Sequence, residues 1–323
     1  MKKNKVCILG GTGFIGIALI KKLISINVPI KIAYRSEPDL SEFHLLKGML
    51  EFVHINDFFD QSLIDSFIEE DSIVVNLLYI WNQPEKNKRF IKALTNACDR
   101  ARIKKFIQIS TVAVYGRIDV KYVNEDVAPR PFSEYAKTKF NIERLLTEAA
   151  KKSSYELIIL RPSTVFGDGS SALRKIVTEY QNNKIKYKLK KALFQFRTPN
   201  LVALNFVVNA IIFCMFKKSR KHIEIYNLSQ DNAPNNTFMF ICSVIEKISI
   251  RDFPISSNIK SLKAVFNLIT FFILYALRRN IVKPYIYFEC SAILNEGFSY
   301  DNDFSYELSQ YINELMNERL NSL

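Results

Sequence analysis

The sequence predicts an α/β protein built on a doubly wound parallel sheet, with a smaller α/β lobe at the C-terminal end. Short apolar runs alternate with amphipathic helical segments through about the first 167 of the 323 residues. A parallel sheet covered on both faces produces that alternation, because each crossover between parallel strands needs a connecting helix. Beyond about Gly167 clean strands become fewer and lysines more frequent, which indicates the second lobe.

The elements of the sheet follow in a regular order. The run VCIL turns at glycines into the amphipathic stretch IALIKKLISI, which predicts a strand, a tight loop and a helix. Further strands are predicted at KIAYRS, EFVHIND, SIVVNLLYI, KKFIQISTVAVYG and ELIILRPSTVFG, with helices at LIDSFIEE, at RFIKALTNACDRA and around Tyr135. Residues 204–216 and 222–229 are expected to form a helix and a strand that return to the main sheet. Ligands of such sheets bind at the carboxyl ends of the strands.

Composition excludes several classes of function. The formal net charge is +13, from 45 Lys and Arg against 32 Asp and Glu. The lysines are scattered and no nucleic-acid-binding motif accompanies them, so we predict no nucleic-acid partner. The five cysteines lie far apart in mostly apolar settings, which indicates reduced core thiols and no metal site. The first residues, MKKNKVCILG, run straight into a strand without a cleavable leader, which predicts a cytoplasmic protein.

Two segments raise the question of a membrane contact. The basic stretch from Lys184 to Arg197 is either a solvated amphipathic segment or a contact for an anionic substrate or headgroup. Residues 263–279 form an apolar run shorter than the ~20 residues that a spanning helix needs. We expect a buried helix of the second lobe there. The alternative is an interfacial helix whose terminal Arg278 and Arg279 meet anionic lipid at the inner face of the plasma membrane.

A glycine-rich loop after the first strand predicts a nucleotide site. Gly10, Gly11, Gly13 and Gly16 lie between the strand VCIL and a helix, which is the structural context that this motif requires. Glycine leaves room for a pyrophosphate, and the free N–H groups and the dipole at the helix start attract it. We therefore expect a dinucleotide-binding domain of the Rossmann type.

The domain boundaries are predicted from this loop and from the change of pattern near Gly167. Residues 1–166 are expected to form the dinucleotide-binding domain, to which residues 200–230 return. Residues 167–199 and 231–323 are expected to form the substrate-binding lobe.

The end of the second strand distinguishes between the two nicotinamide cofactors. An acidic residue there accepts hydrogen bonds from the adenosine ribose, whereas an arginine accommodates a 2′-phosphate. The stretch Ala33, Tyr34, Arg35, Ser36 has no carboxylate and favours NADP(H), with NAD(H) as the alternative. Asp57 closes the third strand and is expected either to accept from the adenine amino group or to cap the next helix.

A tyrosine and a lysine four residues apart are the candidate catalytic pair. Tyr135 and Lys139, in SEYAKTKF, would share one face of a helix. The same spacing recurs twice in the lysine-rich stretch 180–191, so spacing alone does not identify a site.

Four motifs occur in an order that resembles the extended short-chain dehydrogenase/reductases, the NAD-dependent epimerase/dehydratase group: the glycine loop, STVAVYG, YAKTK and RPSTVFG. The resemblance implies that Tyr135 is the acid/base, that Lys139 binds the nicotinamide ribose and that Thr111 holds the substrate oxygen. A free tyrosine ionises near pH ~10, and both an ammonium and a positively charged nicotinamide favour the phenolate. A threonine hydroxyl can donate to a carbonyl or alkoxide and orient it.

The glycine loop and the resemblance together predict a set of residues for each ligand. The expected cofactor-binding residues are Gly10, Gly11, Thr12, Gly13, Phe14, Ile15, Gly16, Arg35, Asp57, Phe58, Leu77, Lys139 and Pro162. The expected substrate-binding residues are Thr111, Val112, Tyr135 and Arg197. Arg197 is included because the stretch LVALNFVVNA lacks the arginine with which many nucleotide-sugar members bind the substrate diphosphate.

The resemblance limits the reaction without deciding it. Members similar to sugar 4,6-dehydratases carry Asp-Glu directly after the threonine, and here those positions are Val112 and Ala113, which disfavours dehydration. Epimerisation or reduction of a 4-keto group remains, on a nucleotide- or lipid-diphosphate-linked sugar for bacterial surface polysaccharide. A homodimer is also expected. The alternatives are a steroid- or flavonoid-type ketone oxidoreductase and a dinucleotide-binding sensor without turnover.

Overall fold

The computed structural model describes residues 4–35, 49–194, 197–252 and 286–318. In chain order its strands are β1 (Val6–Leu9), β2 (Ile30–Tyr34), β3 (Leu50–His54), β4 (Ile73–Asn76), β5 (Lys105–Ile109), β6 (Tyr122–Val123), β7 (Glu156–Pro162), β8 (Thr164–Phe166), β9 (Leu201–Ala203), β10 (Ile223–Leu228) and β11 (Tyr287–Phe288).

The helices of the same residues are α1 (Phe14–Ser25), α2 (Gln61–Phe67), α3 (Pro84–Arg100), α4 (Glu134–Ala150), α5 (Arg174–Asn182), α6 (Lys184–Phe194), α7 (Leu204–Phe216), α8 (Phe238–Asp252), α9 (Ser291–Asn295) and α10 (Phe304–Glu318). One 3₁₀ turn, Val112–Tyr115, follows β5.

The main sheet of the described residues has seven parallel strands in the order β10-β7-β5-β4-β1-β2-β3. The direction of winding reverses between β1 and β4, so the loops that follow these two strands border one crevice. The predicted α/β fold with a doubly wound parallel sheet is confirmed. The helix and strand expected at 204–216 and 222–229 are α7 and β10, and β10 pairs with β7 at the edge of the sheet.

Both faces of the sheet are buried at its central strands, such as β1 and β4, which explains why these strands are apolar without alternation, whereas the edge strand β3 is partly exposed. Val6 and Ile8 face the cluster formed with α1 and α7, whereas Cys7 and Leu9 face the cluster formed with α2, α3 and α4. All five cysteines are buried free thiols.

Two strands, β4 and β5, end earlier than their apolar runs predict. β4 ends at Asn76, whose side-chain oxygen accepts from the Leu78 amide at 3.2 Å. β5 ends at Ile109, and the Thr111 hydroxyl then accepts from the Ala113 amide at 3.2 Å to begin the 3₁₀ turn. Because the chain leaves the sheet at these points, the residues that follow are available to line the crevice.

The remaining strands form two short parallel pairs, β8 with β9 and β6 with β11. They lie with α5, α6, α8, α9 and α10 beyond the main sheet, and the division of the chain into two domains stays a prediction. Residues 263–279 lie outside the described residues. Among the helices that the structure describes, none combines the length and the apolar character needed to cross a bilayer.

Candidate active site

The glycine loop adopts a conformation that leaves no room for a side chain at Gly10 or Gly16. Gly10 has a φ of +78°, and a Cβ there would lie 2.7 Å from the Leu78 amide nitrogen. At Gly16 a Cβ would lie 2.5 Å from the carbonyl oxygen of Gly11. Gly13 caps α1 without any side-chain hydrogen bond, so the first amides of the helix point into open space. Such an uncapped helix start attracts a phosphate.

Most of the predicted cofactor residues line one of two adjoining cavities. The larger has a volume of about 930 Å³ and is lined by Gly10, Gly13, Phe14, Ile15, Gly16, Leu77, Lys139 and Pro162. The smaller, of about 460 Å³, is lined by Gly10, Thr12, Arg35, Asp57 and Phe58. Gly11 lines neither, because it packs beneath the loop, where a Cβ would lie 2.8 Å from Ile32 Cγ2.

The smaller cavity lies at the carboxyl end of β2. The Arg35 side chain is exposed there, while its carbonyl oxygen lies 3.0 Å from His54 Nε2. Asp57 Oδ1 accepts from the Phe59 amide at 2.7 Å, whereas the cap of α2 is Asp60, which accepts from the Ser62 amide at 2.8 Å. Of the two roles expected for Asp57, helix capping therefore falls to Asp60. Ser36 lies outside the described residues.

Thr111, Tyr135 and Lys139 all line the larger cavity. The Thr111 hydroxyl lies beside the Tyr135 side chain in this cavity. Burial raises the pKa of Tyr135 above its usual value, and the contact with Thr111 lowers it in part. Thr111 and Lys139 lie 28 positions apart in the sequence, and the fold brings the end of β5 and the start of α4 together at this cavity.

Lys139 is buried one helical turn below the tyrosine. Its ammonium donates to the Ile109 carbonyl at 3.1 Å and lies 4.8 Å from the centre of the Tyr79 ring. Burial lowers the pKa of Lys139 to about 8, and the negative charge of Glu143 opposes that effect. A group with this pKa remains mostly cationic at neutral pH.

Two aromatic residues that sequence reasoning missed enclose Tyr135. The Trp81 indole stacks on the Tyr135 ring, with centroids 5.4 Å apart and planes 13° apart. Tyr79 meets Tyr135 edge-on at 5.2 Å. Asn87, on α3, holds the loop that carries Trp81, since its side chain exchanges hydrogen bonds of 3.1 and 2.7 Å with the backbone of Ile80. Tyr79 and Trp81 line both cavities and mark their junction.

A buried polar network lies next to the Tyr135–Lys139 pair, and the sequence did not predict it. Arg161 Nη2 lies 2.7 Å from Glu143 Oε2, and both side chains are 3% exposed. Arg161 also donates to the Tyr115 hydroxyl at 2.9 Å, and Ser110 donates to Glu143. The spacing of Glu143 four residues after Lys139 indicates only that this carboxylate lies near the lysine, whose charged form it favours, and it gives no signal for Arg161.

Arg117 is a second cationic residue on the described lining of the larger cavity, in addition to Lys139. Its guanidinium lies 3.5 Å from the centre of the Phe132 ring, and both side chains line the cavity. Arg197 is not among the lining residues, and its exposed guanidinium lies 4.9 Å from the Phe194 ring. Val112, the remaining predicted substrate residue, does line the cavity. No sequence signal beyond proximity to the STVAVYG motif distinguished Arg117.

A sequence model of the NAD dependent epimerase/dehydratase family matches residues 6–228. The chain belongs to this family. The matched range begins with β1 and ends with β10, and it includes the glycine loop, Thr111 and the Tyr135–Lys139 pair. The resemblance to extended short-chain dehydrogenase/reductases, a class of enzymes, is thereby confirmed.

Two curated relatives of the chain have names that describe enzymes of nucleotide sugars. UDP-D-apiose/UDP-D-xylose synthase 1 of Arabidopsis thaliana is 24% identical over 280 residues, which cover 70% of this chain and 70% of that protein. The dTDP-D-glucose 4,6-dehydratase of Homo sapiens is 26% identical over 248 residues, which cover 70% and 69%.

Solved structures agree on the fold. The dTDP-glucose 4,6-dehydratase of Bacillus anthracis, in complex with NAD, superposes with a TM-score of 0.70 at 15% identity and covers 98% of both chains. The UDP-glucose 4-epimerase of Thermotoga maritima, with UDP-glucose, gives 0.69 at 18% identity and covers 98% of this chain and 99% of that one.

Proposed function

We propose that the chain is an NAD(P)-dependent epimerase or 4-keto reductase of an activated sugar, carried on a nucleotide or a lipid diphosphate. The observation that supports this most is the meeting of Thr111, Tyr135 and Lys139 in one cavity that continues to the glycine loop. A tyrosine acid/base, a cation beside it and a hydroxyl donor are the groups needed to move one proton while hydride is transferred. The family membership and the nucleotide-sugar names of the relatives agree with this reaction class.

The residues present fit a dinucleotide. The two cavities share Gly10, Tyr79 and Trp81, so one extended ligand can occupy both. The uncapped start of α1 suits the pyrophosphate and the smaller cavity suits the adenosine half. Arg35 at that cavity supports NADP(H), and NAD(H) is the alternative because the solved dehydratase of the same fold contains NAD.

Each catalytic residue has a defined task. The nicotinamide, when bound, accepts or supplies the hydride. Tyr135 removes the proton of the substrate hydroxyl during oxidation and returns it during reduction. Lys139 places a positive charge near the phenol, which favours the phenolate, and Thr111 donates to the substrate oxygen and orients it.

The larger cavity argues against dehydration. None of the described residues that line it is Asp, Glu or His, and Val112 and Ala113 occupy the positions after Thr111. Elimination of water needs a further acid/base beside the tyrosine, whereas epimerisation and reduction at one carbon do not. The described lining of the cavity therefore lacks the groups for that chemistry, although the fold is shared with a dehydratase.

Charge supports an anionic substrate. Arg117 and Lys139 are the two cations on the described lining of the larger cavity, and Lys139 is buried beneath the tyrosine. Stacking on Phe132 limits the motion of the Arg117 guanidinium, so it is oriented before a ligand arrives. We assign it the substrate diphosphate, the role predicted from sequence for Arg197.

The proposal is tested by identifying the nucleotide released when the purified protein is denatured, followed by assays with UDP-glucose, UDP-glucuronate and dTDP-glucose. Firmly held cofactor and interconversion of epimers support an epimerase, whereas uptake of NADPH and reduction of a 4-keto sugar support a reductase.

A Tyr135→Phe variant should bind the nucleotide but lose turnover. Turnover equal to that of the unaltered protein would refute the proposal, and turnover of lipid ketones alone would favour the steroid-type alternative. Release of NAD(H) alone would refute the argument from Arg35.

A further inference from the structure

The surface helix α6 turns an apolar side toward solvent. Ile185, Leu189 and Leu193 are 71%, 42% and 40% exposed. They are spaced four residues apart, so they form one stripe along the helix. Surface helices ordinarily place such a stripe against the core and expose their polar side. Here the orientation is reversed, which is the kind of exposed apolar patch that marks a binding surface.

The opposite side of α6 explains why the helix cannot turn its stripe inward. Tyr187 is 2% exposed, its hydroxyl lies 3.3 Å from the Cys242 carbonyl, and its ring meets Tyr180 edge-on at 4.8 Å. Phe194, two turns later on the same side, lies 6.1 Å from Phe238. These contacts fix α6 to α5 and α8, and the apolar stripe faces directly away from them.

Lysines flank the stripe. α6 contains five lysines and no acidic residue. Lys190 and Lys191 are directed toward the protein, since they lie 2.6 Å from Glu179 and 2.7 Å from Glu246. Lys184 and Lys188 lie one helical turn apart beside the stripe and are exposed, and neither forms an ion pair with any residue that the structure describes. The Lys184 ammonium lies 6.0 Å from the centre of the Tyr180 ring.

We propose that α6 is an interfacial helix that binds the surface of an anionic membrane. The three apolar side chains would enter the boundary between headgroups and acyl chains, and the flanking lysines would extend to the level of the lipid phosphates. The charge favours this occupant over a second copy of the chain, because a second α6 would bring another Lys184 and Lys188 to the same surface, and neither has an ion pair among the described residues. The net charge of +13 acts in the same direction.

The surface is separate from the proposed active site. No residue of α6 lines either of the two cavities described above. Changes on its outer side should therefore leave nucleotide binding unaltered, and membrane binding can fail or succeed independently of the proposed reaction.

The test is co-sedimentation of the full chain with vesicles of phosphatidylcholine alone and of phosphatidylcholine with 30% phosphatidylglycerol. We expect binding to the anionic vesicles, weakened by high salt because exposed charges are then screened. Lys184→Gln with Lys188→Gln should weaken it about 25-fold, since each lysine near an anionic surface contributes about fivefold. Ile185→Ser with Leu189→Ser should weaken it by at least ~10-fold, through lost apolar burial.

Matched controls carry the same changes elsewhere. Lys137→Gln with Lys151→Gln removes two exposed lysines, one on α4 and one directly after it, and Phe216→Ser removes a 51% exposed apolar side chain at the end of α7. Both should bind vesicles as the unaltered protein does. Circular dichroism and nucleotide binding verify that each variant is folded.

Three results would overturn the proposal. They are equal binding to neutral and anionic vesicles, no binding to either, and binding that survives both α6 double variants. If binding instead disappears with Arg278→Gln and Arg279→Gln while the α6 variants retain it, residues 263–279 are the membrane contact and α6 is not.

Discussion

The burial of Lys139 should make the stability of the protein rise with pH. An ordinary lysine has a pKa of 10.5, and burial lowers that of Lys139 to about 8. Between these two values the unfolded chain binds a proton at this position that the folded protein has released. The free energy of unfolding therefore rises with pH across this window, and below it the buried ammonium is a cost to the folded state.

The size of the effect follows from the same two values. An interval of about 2.5 pH units corresponds to about 3.4 kcal/mol, at about 1.36 kcal/mol per unit. Integration from pH 7 to pH 10 covers about 2.5 kcal/mol of this amount, because the titration of the unfolded chain is not complete at pH 10. Lys139→Met has no proton to release in either state. The unaltered protein should therefore gain about 2.5 kcal/mol relative to the variant over this range.

Urea denaturation followed by circular dichroism at pH 7, 8, 9 and 10 measures this difference. Other groups titrate over the same range, but they contribute equally to both proteins and cancel in the comparison. Lys137→Met, on the same helix and 51% exposed in its side chain, controls for the loss of a lysine as such. A difference between the unaltered protein and Lys139→Met that stays constant within about 0.5 kcal/mol would refute the assignment of a buried ammonium.

Three further predictions concern the site. Gly13→Ala should fold normally, because its Cβ would lie 3.5 Å from the nearest atom. It should weaken dinucleotide binding at least ~10-fold in a titration with NADPH, because the methyl group enters the space for the pyrophosphate. An unchanged affinity would mean that the phosphates bind elsewhere. Trp81→Ala should lower kcat about 10-fold and move the pH–rate limb of Tyr135 to lower pH, because water then reaches the phenol. Trp81→Phe should retain the stacking and most of the activity. A pH–rate limb that does not move in Trp81→Ala would contradict this role. Arg117→Gln should raise KM for the sugar nucleotide that the enzyme turns over about 10-fold or more. Arg89→Gln removes a similar arginine–aromatic contact outside the larger cavity and should leave this KM unchanged. Equal effects of the two variants would exclude a specific contact between Arg117 and the substrate anion.

The glycine loop and the parallel sheet were predictable because each depends on residues that are close together in the sequence. The alternation of strands and helices indicates a covered parallel sheet, and the glycines after β1 indicate a turn that excludes side chains. The ends of the strands were less accurate, since a run such as SIVVNLLYI stays apolar after the chain has left the sheet. Its last residues are apolar because they line a cavity, a condition that periodicity does not distinguish from a strand.

The sequence alone determined the class of the fold, the place of the nucleotide loop and the tyrosine–lysine pair, because each depends on neighbours within one turn or one strand. Only the tertiary structure decided that Trp81 covers Tyr135, that Arg161 pairs with Glu143 and that Arg117 faces the cavity. Trp81 lies on the loop after β4 and Tyr135 lies at the start of α4, and these elements meet only because of the order of the strands in the sheet. Contacts of that kind depend on the register and packing of the whole domain, and the pattern of residues along the chain does not contain them.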